Sequence, residues 1–284
     1  MIILDGKKTA EILKEEVKTK LNGYYAQGYP ACNLAIILVG EDPASEVYVK
    51  NKSVSCQAVG IGGNLIRLPA SVTQTELENK IIKLSKDDGV HGILVQLPLP
   101  KGLDEFSATE LVPADKDVDG FTTASLGALV ADGDGFLSCT PGGIVYMLKK
   151  YGVSLSGKHA VIIGRSKIVG KPMALSLLKE NCTVTVCHSK TENLSDICKS
   201  ADILIAAVGK PEFVKGDMVK DGAVVVDVGI NRTEKGLVGD VCFNEVSKKC
   251  SFITPVPGGV GPMTVAYLMK NVLLAYEKKL KINS

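Results

Sequence analysis

Tryptophan is absent from this 284-residue sequence, and aromatic residues make up only 5% of it. Such a chain has little with which to stack successive nucleic-acid bases. Histidine is scarce too, with three widely scattered copies. Eight cysteines are present (Cys32, Cys56, Cys139, Cys182, Cys187, Cys198, Cys242 and Cys250), but none forms a C-x-x-C pair or has histidine at a zinc-like spacing. No metal site is expected, and the thiols read as reduced and mostly buried, as in a cytoplasmic protein. An excess of one charge is lacking as well. The formal net charge is +2 and the lysines are scattered, which argues against a nucleic-acid partner. No apolar run approaches the roughly 18–20 residues that cross a bilayer. The opening Met1-Ile-Ile-Leu-Asp5 has no basic segment before a long apolar one, so neither a secretory signal nor a membrane partner is expected.

What is present is a globular composition, 45% hydrophobic and 23% charged, in a chain long enough for two domains. Ala10, Leu13, Val17, Leu21 and Tyr24 recur at helical steps, and Gly28-Tyr-Pro30 ends that helix. Strands are expected at 34–39, 64–68 and 92–97, with helices between them, the first entered through Pro43 and the second through a Thr73–Glu76 capping box. The polar stretch Pro113 to Gly120 fits a domain boundary. Short helices are expected at 126–131 and 140–150. A second alternating series follows, with strands at 160–163, 183–187, 203–208, 223–228 and 252–254. Strand–helix alternation throughout predicts an α/β protein whose parallel sheets are covered by helices. A last apolar face, Val265, Leu268, Val272 and Tyr276, marks a terminal helix at 263–284 that could return to the first domain.

The first unit of the second series is chemically informative. A strand at 160–163 runs into Gly164-Arg-Ser-Lys-Ile-Val-Gly170, and Pro172 suits the first turn of a helix. Strand, glycine turn and helix N-terminus make an anion site. The spacing departs from the G-x-G-x-x-G dinucleotide fingerprint, because Ser166 replaces the second glycine and Gly170 comes one residue late. An NAD site carries an acid at the end of its second strand, and an NADP site does not. Here the second strand is followed by His188-Ser-Lys-Thr191, with no acid, while Arg165, Ser189 and Lys190 can all donate to a phosphate. Charge therefore favours NADP. Gly164, Arg165, Ser166 and Ser189 are its candidate contacts, with Ile230 and Gly209 on the nicotinamide side. The rival reading of the turn is a polar loop without a ligand.

In the first domain Tyr48 and Lys52 share one helical face, with Ser45 a turn earlier. Gln96 stands at the C-terminal end of a strand, where α/β sites form. A lysine partly desolvated there can work as acid or base. Asp117 and Asp119 follow near the domain junction, where the plain alternative is a hydrated turn.

Six blocks in order give the sequence a resemblance to a known family: Ser45-Glu-Val-Tyr-Val-Lys-Asn-Lys52, His91-Gly-Ile-Leu-Val-Gln-Leu-Pro-Leu-Pro100, Lys116-Asp-Val-Asp-Gly-Phe121, Gly164 to Gly170, Cys187-His-Ser-Lys-Thr191 and Pro255-Val-Pro-Gly-Gly-Val-Gly-Pro262. It closely resembles the bifunctional methylenetetrahydrofolate dehydrogenase/methenyltetrahydrofolate cyclohydrolase family over nearly its whole length. The resemblance implies an α/β catalytic folate domain (1–120), a Rossmann-like NADP domain (121–262), a cleft between them, and a helix at 263–284 packed back on the first. It implies NADP-dependent oxidation of 5,10-methylenetetrahydrofolate, then hydrolysis to 10-formyltetrahydrofolate. Lys52 matches the catalytic lysine, Gln96 the residue that orients it, Tyr48 the ring that stacks on folate, and Asp119 the carboxylate that pairs with the pterin edge. Val95, Gln96, Leu97 and the run Pro257, Gly258, Gly259, Val260, Gly261 match residues lying against the folate. A homodimer is what the family implies. After Phe121 the sequence reads Thr-Thr-Ala-Ser-Leu-Gly, where many bacterial relatives have His-Pro and Asn.

Two rival functions are weighed. A shikimate-dehydrogenase-like oxidoreductase shares the two-domain plan and a lysine, but an anionic hydroxy acid wants cationic anchors rather than Tyr48 and Asp119. A non-catalytic NADP-sensing module would have no need of Lys52 and Gln96.

Overall fold

The structure is a computed structural model that describes residues 1–234 and 236–282. In chain order the first elements are β1 (Ile2–Ile3), α1 (Gly6–Ala26), β2 (Asn33–Val39), α2 (Pro43–Val59), β3 (Gly62–Leu68), α3 (Gln74–Ser85) and β4 (Gly92–Val95). Then come α4 (Glu105–Glu110), α5 (Thr123–Val130), α6 (Cys139–Lys150), β5 (His159–Ile163), α7 (Gly170–Lys179), β6 (Thr183–Cys187), α8 (Leu194–Lys199) and β7 (Ile203–Ala206). The chain closes with β8 (Val224–Asp227), β9 (Asn231–Thr233), β10 (Gly236–Val238), α9 (Phe243–Val246), β11 (Phe252–Ile253) and α10 (Val260–Lys279). Residues 283–284 of the helix expected at the C-terminus lie outside the described residues.

Two compact units emerge, one of Glu11–Cys139 with Val265–Ser284, the other of Met1–Ala10 with Thr140–Thr264. In the first, β3, β2 and β4 form a parallel sheet in that order. Strand β2 shows why its apolar run is continuous. Leu34, Ile36 and Leu38 enter one core, with α1, α2 and the C-terminal half of α10. Ala35, Ile37 and Val39 enter another, with Leu77, Ile81 and Leu84 of α3. Successive side chains point to opposite faces, so a strand covered on both sides is apolar at every position. Helix α2 is bounded sharply: Asp42 accepts the Ser45 N–H at 2.8 Å, Pro43 opens the first turn, and Gly60 closes it at φ 85°. The capping box of α3 closes as the sequence predicts, between Thr73 and Glu76.

In the other unit six parallel strands run β1-β11-β8-β7-β5-β6. Its core joins Val161, Ile163, Leu204, Val225 and Ile253. The chain passes from β5 outward to β6, then returns to the other side of β5 with β7. The strand order therefore reverses beside β5, the position where open α/β sheets bind ligands outside their strand ends. Strand β1, only Ile2–Ile3, pairs with β11 at the edge of this sheet; two residues show no periodicity for a sequence reading to find. The β9–β10 hairpin is short in the same way. Two expected strands end early. Strand β4 stops at Val95 because Pro98 cannot donate to a ladder, and β7 stops at Ala206 because from Val208 onward the amides turn to a side chain, described below. No helix among the described residues is long and apolar enough to cross a membrane.

Candidate active site

Helix α2 carries Tyr48, Lys52 and Ser45 as the four-residue spacing requires. Their environments differ. Tyr48 is 44% exposed, whereas Lys52 is 9% and Ser45 3% exposed. Lys52 Nζ donates to Gln96 Oε1 at 3.0 Å. Gln96 Nε2 donates to the Leu97 carbonyl at 2.6 Å, and the Gln96 backbone N–H donates to Ile37 at 2.9 Å. The amide is thereby oriented, because its nitrogen is engaged elsewhere and only its oxygen is left for the lysine. Gln96 stands just past β4, and β4 lies beside β2, so the sheet sets the height at which the oxygen meets the ammonium.

The two carboxylates of the Lys116–Phe121 block separate into different roles. Asp117 is buried, and its oxygens accept from the amides of Gly120 (3.1 Å), Phe121 (3.2 Å) and Thr122 (2.9 Å) and from Ser125 Oγ (2.6 Å). Burial raises its pKa above the usual carboxylate value, against those donors. Asp117 is the organiser of the turn, and Asp119 is left half-exposed on it. Lys116, at the head of the block, donates to the carbonyls of Leu84 (3.3 Å), Ser85 (2.9 Å) and Asp87 (2.7 Å), closing the C-terminus of α3. Beneath Asp119 lies Cys139. Burial first, then the charge of Asp119, push its thiol well above the ordinary range, while Lys52 pulls the other way. Lys52 and Asp119 therefore converge on one neighbourhood, with Cys139 within electrostatic reach of both. The sequence offered no sign of Cys139, since nothing in its spacing differs from the other seven cysteines, all unpaired and buried.

In the other unit Gly164 ends β5 at φ 124°, and a Cβ there would lie 2.2 Å from the Ala207 carbonyl oxygen. At Gly170 a Cβ would lie 2.3 Å from the Gly164 oxygen. Both glycines are thus required by close backbone approach, and the late second glycine is part of a tighter turn. Ser166 holds that turn: its Oγ accepts the amides of Val169 (3.1 Å) and Gly170 (3.3 Å), leaving its hydroxyl proton to point elsewhere. Arg165, Ser189 and Lys190 are exposed, and no acid follows β6 in the loop that Thr191 Oγ1 fastens to the His188 amide at 2.8 Å. These residues fit a dinucleotide with an extra phosphate, since the glycine turn leaves its backbone approachable and no acid stands at the end of β6 beside the donors.

The turn after β7 looks similar in sequence but is built differently. Asp240, fully buried, accepts the amides of Val208 (2.6 Å), Gly209 (2.9 Å) and Lys210 (2.9 Å), and Asn231 Nδ2 at 2.9 Å. Asp227 accepts the amides of Gly229 (3.0 Å), Asp240 (2.8 Å) and Val241 (2.9 Å). Burial raises Asp227 to about 6, with the charge of Asp240 adding to the effect and the three amides opposing it. Together the pair shapes the 208–210 and 229–231 loops. Ile230 then shares a cavity with Leu237, Pro257, Gly258, Gly259 and Gly261, which also includes Val260. Neither carboxylate was legible as a site component, because each lies inside a segment that reads as strand or turn.

A sequence model of the tetrahydrofolate dehydrogenase/cyclohydrolase catalytic domain matches residues 4–119, and a model of the NAD(P)-binding domain of the same enzymes matches residues 138–280. The chain belongs to the tetrahydrofolate dehydrogenase/cyclohydrolase family. Within this family, the bifunctional protein FolD of Maridesulfovibrio salexigens is 53% identical over 282 residues, covering 98% of this chain and 99% of its own. The crystal structure of the bifunctional enzyme FolD from Campylobacter jejuni superposes with a TM-score of 0.96 at 49% identity, covering 98% of this chain and 99% of that one. The family's Trypanosoma brucei structure, complexed with NADP cofactor and inhibitor, gives 0.93 at 35% identity and covers 99% of each chain. Shikimate 5-dehydrogenase of Thermus thermophilus, at 14% identity and TM-score 0.53 over 88% of this chain and 94% of its own, shares the fold alone.

Proposed function

We propose that this family member runs both reactions through Lys52: NADP-dependent oxidation of 5,10-methylenetetrahydrofolate to the methenyl cation, then hydrolysis of that cation to 10-formyltetrahydrofolate. The observation that carries the reading is the buried contact of Lys52 Nζ with Gln96 Oε1 at 3.0 Å, on the same helix as the exposed Tyr48 ring. NADP, when bound, supplies the acceptor for the departing hydride. The residues of the chain do the rest.

Loss of hydride leaves a delocalised cation on the substrate. A full ammonium beside it is unfavourable, so Lys52 shares or sheds a proton as that charge develops. Gln96 Oε1 holds the nitrogen in place without contributing a charge. In the second step water attacks the methenyl carbon and Lys52 takes up its proton. The carbon–N5 bond breaks, N5 receives one proton, and the other leaves to solvent, which balances cation plus water against the neutral formyl product. Asp119 accepts two parallel hydrogen bonds from the aminopyrimidine edge, and Tyr48 stacks on the ring. Backbone groups at Val95, Gln96 and Leu97, and the glycine-rich Pro257 to Gly261, lie against the folate. Gly164, Arg165, Ser166, Ser189 and Ile230 hold the nucleotide, with Arg165 and Ser189 directed to the 2′-phosphate.

In this reading the unit of Glu11–Cys139 with the terminal helix binds the folate and the unit of Met1–Ala10 with Thr140–Thr264 binds the nucleotide, so that the boundaries differ from the expected 1–120 and 121–262, and the enzyme works in the cytoplasm as a homodimer. Tyr48 and Asp119 suit a flat, hydrogen-donating pterin better than an anionic hydroxy acid, and a nucleotide sensor would have no use for the Lys52–Gln96 contact. Purified protein should form NADPH from methylenetetrahydrofolate and hydrolyse methenyltetrahydrofolate faster than buffer does. Lys52→Met should abolish both while NADP still binds; retained turnover in that variant would remove Lys52 from the mechanism.

A further inference from the structure

Asp119 sits on a stretch of backbone that is held from both ends. On one side Asn271, 3% exposed on α10, directs its amide nitrogen to two carbonyls, Val118 at 2.9 Å and Leu137 at 2.9 Å. The same nitrogen lies 3.7 Å from Cys139 Sγ, and that thiol donates to the Val118 carbonyl at 3.3 Å. On the other side Ser138 Oγ donates to the Gly120 carbonyl at 2.9 Å, and the Gly120 amide donates to Asp117 Oδ1 at 3.1 Å. Gly120 has φ +70°, and a Cβ there would lie 2.7 Å from the Ser138 nitrogen. The 118–120 and 136–138 segments therefore lie backbone against backbone, and Asn271 ties the two together with both hydrogens of one amide group.

We infer that Asn271 is a positioning residue for substrate recognition: by clamping the carbonyls of Val118 and Leu137 it fixes the direction of the Asp119 carboxylate, and so the hydrogen-donating edge that the enzyme accepts. The inference rests on the reading of Asp119 given above. A bidentate contact between a carboxylate and two parallel N–H donors is directional. A small rotation of the peptide units flanking Asp119 turns two good hydrogen bonds into one poor one. Asn271 acts on the first of those units through the Val118 carbonyl, Asp117 holds the second through the Gly120 amide, and Ser138 holds the unit after it through the Gly120 carbonyl. Without Asn271 the Val118 carbonyl keeps only the weak thiol donor of Cys139, and the Leu137 carbonyl loses this buried partner.

The test is Asn271→Leu, which fills a similar volume without donors, beside Asp119→Asn and the double variant. For Asn271→Leu the KM for methylenetetrahydrofolate should rise about tenfold, the scale of one lost hydrogen bond. The kcat should fall less, and the dissociation constant for NADP should stay unchanged. In the Asp119→Asn background the same substitution should add little to KM, since Asn271 acts through Asp119. An unchanged folate KM in a folded Asn271→Leu protein overturns the inference, as does a full additive rise in the double variant. If Asp119→Asn by itself leaves the folate KM untouched, the reading of Asp119 falls and the inference with it. Should Asn271→Leu fail to fold, Asn271→Ser, which keeps one donor, and Ser138→Ala carry the test. Each must raise the same KM, and no rise in either overturns the inference.

Discussion

Gln96 presents one atom to Lys52. Its oxygen accepts from Nζ at 3.0 Å while its nitrogen is held by the Leu97 carbonyl at 2.6 Å. The amide cannot turn over without losing both contacts, so the lysine always meets a neutral acceptor. Gln96→Glu keeps the shape and adds a negative charge beside the ammonium, which favours the protonated form. Cyclohydrolase activity should fall by about 10²-fold at neutral pH, the range for loss of a general base. Its pH–rate profile should shift to higher pH. A profile that stays in place would show that Gln96 does not govern the proton on Lys52.

Arg165 is exposed beside the glycine turn, and residues 188–191 directly after β6 carry no acid. Arg165→Ala should lower kcat/KM with NADP by about 10- to 100-fold, the worth of a charge-assisted phosphate contact. The value with NAD should hardly change. The ratio of the two, measured on methylenetetrahydrofolate, checks the assignment, and equal losses with both nucleotides would reject it.

Lys116 is 5% exposed and spends its ammonium on three carbonyls at the end of α3. Lys116→Met fits the stem and removes the charged donor, so that the Leu84 and Asp87 carbonyls keep only the amides of Asp87 and Val90, each at 3.2 Å. Unfolding in urea should show a loss of about 2–4 kcal/mol. A loss below about 0.5 kcal/mol, the range of ordinary surface substitutions, would mean that water replaces the ammonium at no cost.

Asp227 is raised to about 6 from its ordinary 3.8. A carboxyl raised on folding contributes stability that is fully present below the unfolded value and is lost as pH rises through the folded one. Between about pH 4 and 7 the wild type should therefore lose stability relative to Asp227→Asn, which is neutral throughout. The stability difference between the two proteins, followed across that window, should slope in this direction. A flat difference would place Asp227 in its ordinary range.

The alternation of strands and helices was plain in the sequence because the central strands β2, β4, β5, β7 and β8 are apolar at almost every position and helices such as α2 and α3 are bounded by local residues, Asp42, Gly60 and Thr73. Lys52 and Gln96 were legible for a related reason: one sits at a helical step from Tyr48, the other at a strand end. What stayed hidden depends on contacts between distant segments. Asp117 and Asp119 are alike in sequence, and only the turn of 120–125 onto Asp117 separates them. Asp227, Asp240 and Asn271 sit in stretches that look like ordinary strand, turn and helix. Their roles come from backbone amides and carbonyls, which carry no residue-specific mark.

The tripeptide Gly-Lys-Pro occurs twice at the same edge of the large sheet, at 170–172 after β5 and at 209–211 after β7. At the second, three successive amides already hold the chain's own carboxylate, Asp240. Such a run of N–H groups would otherwise form a nest for an external anion. Here the counter-ion is covalently part of the fold, and no change of salt or ligand concentration can displace it from the chain. The two look-alike turns therefore differ in sign as seen by an arriving molecule. One offers a helix N-terminus with Arg165 beside it, and the other offers amides already neutralised. For a ligand with phosphates at one end and a ring at the other, that difference gives the sheet edge a polarity and fixes which way round the ligand lies.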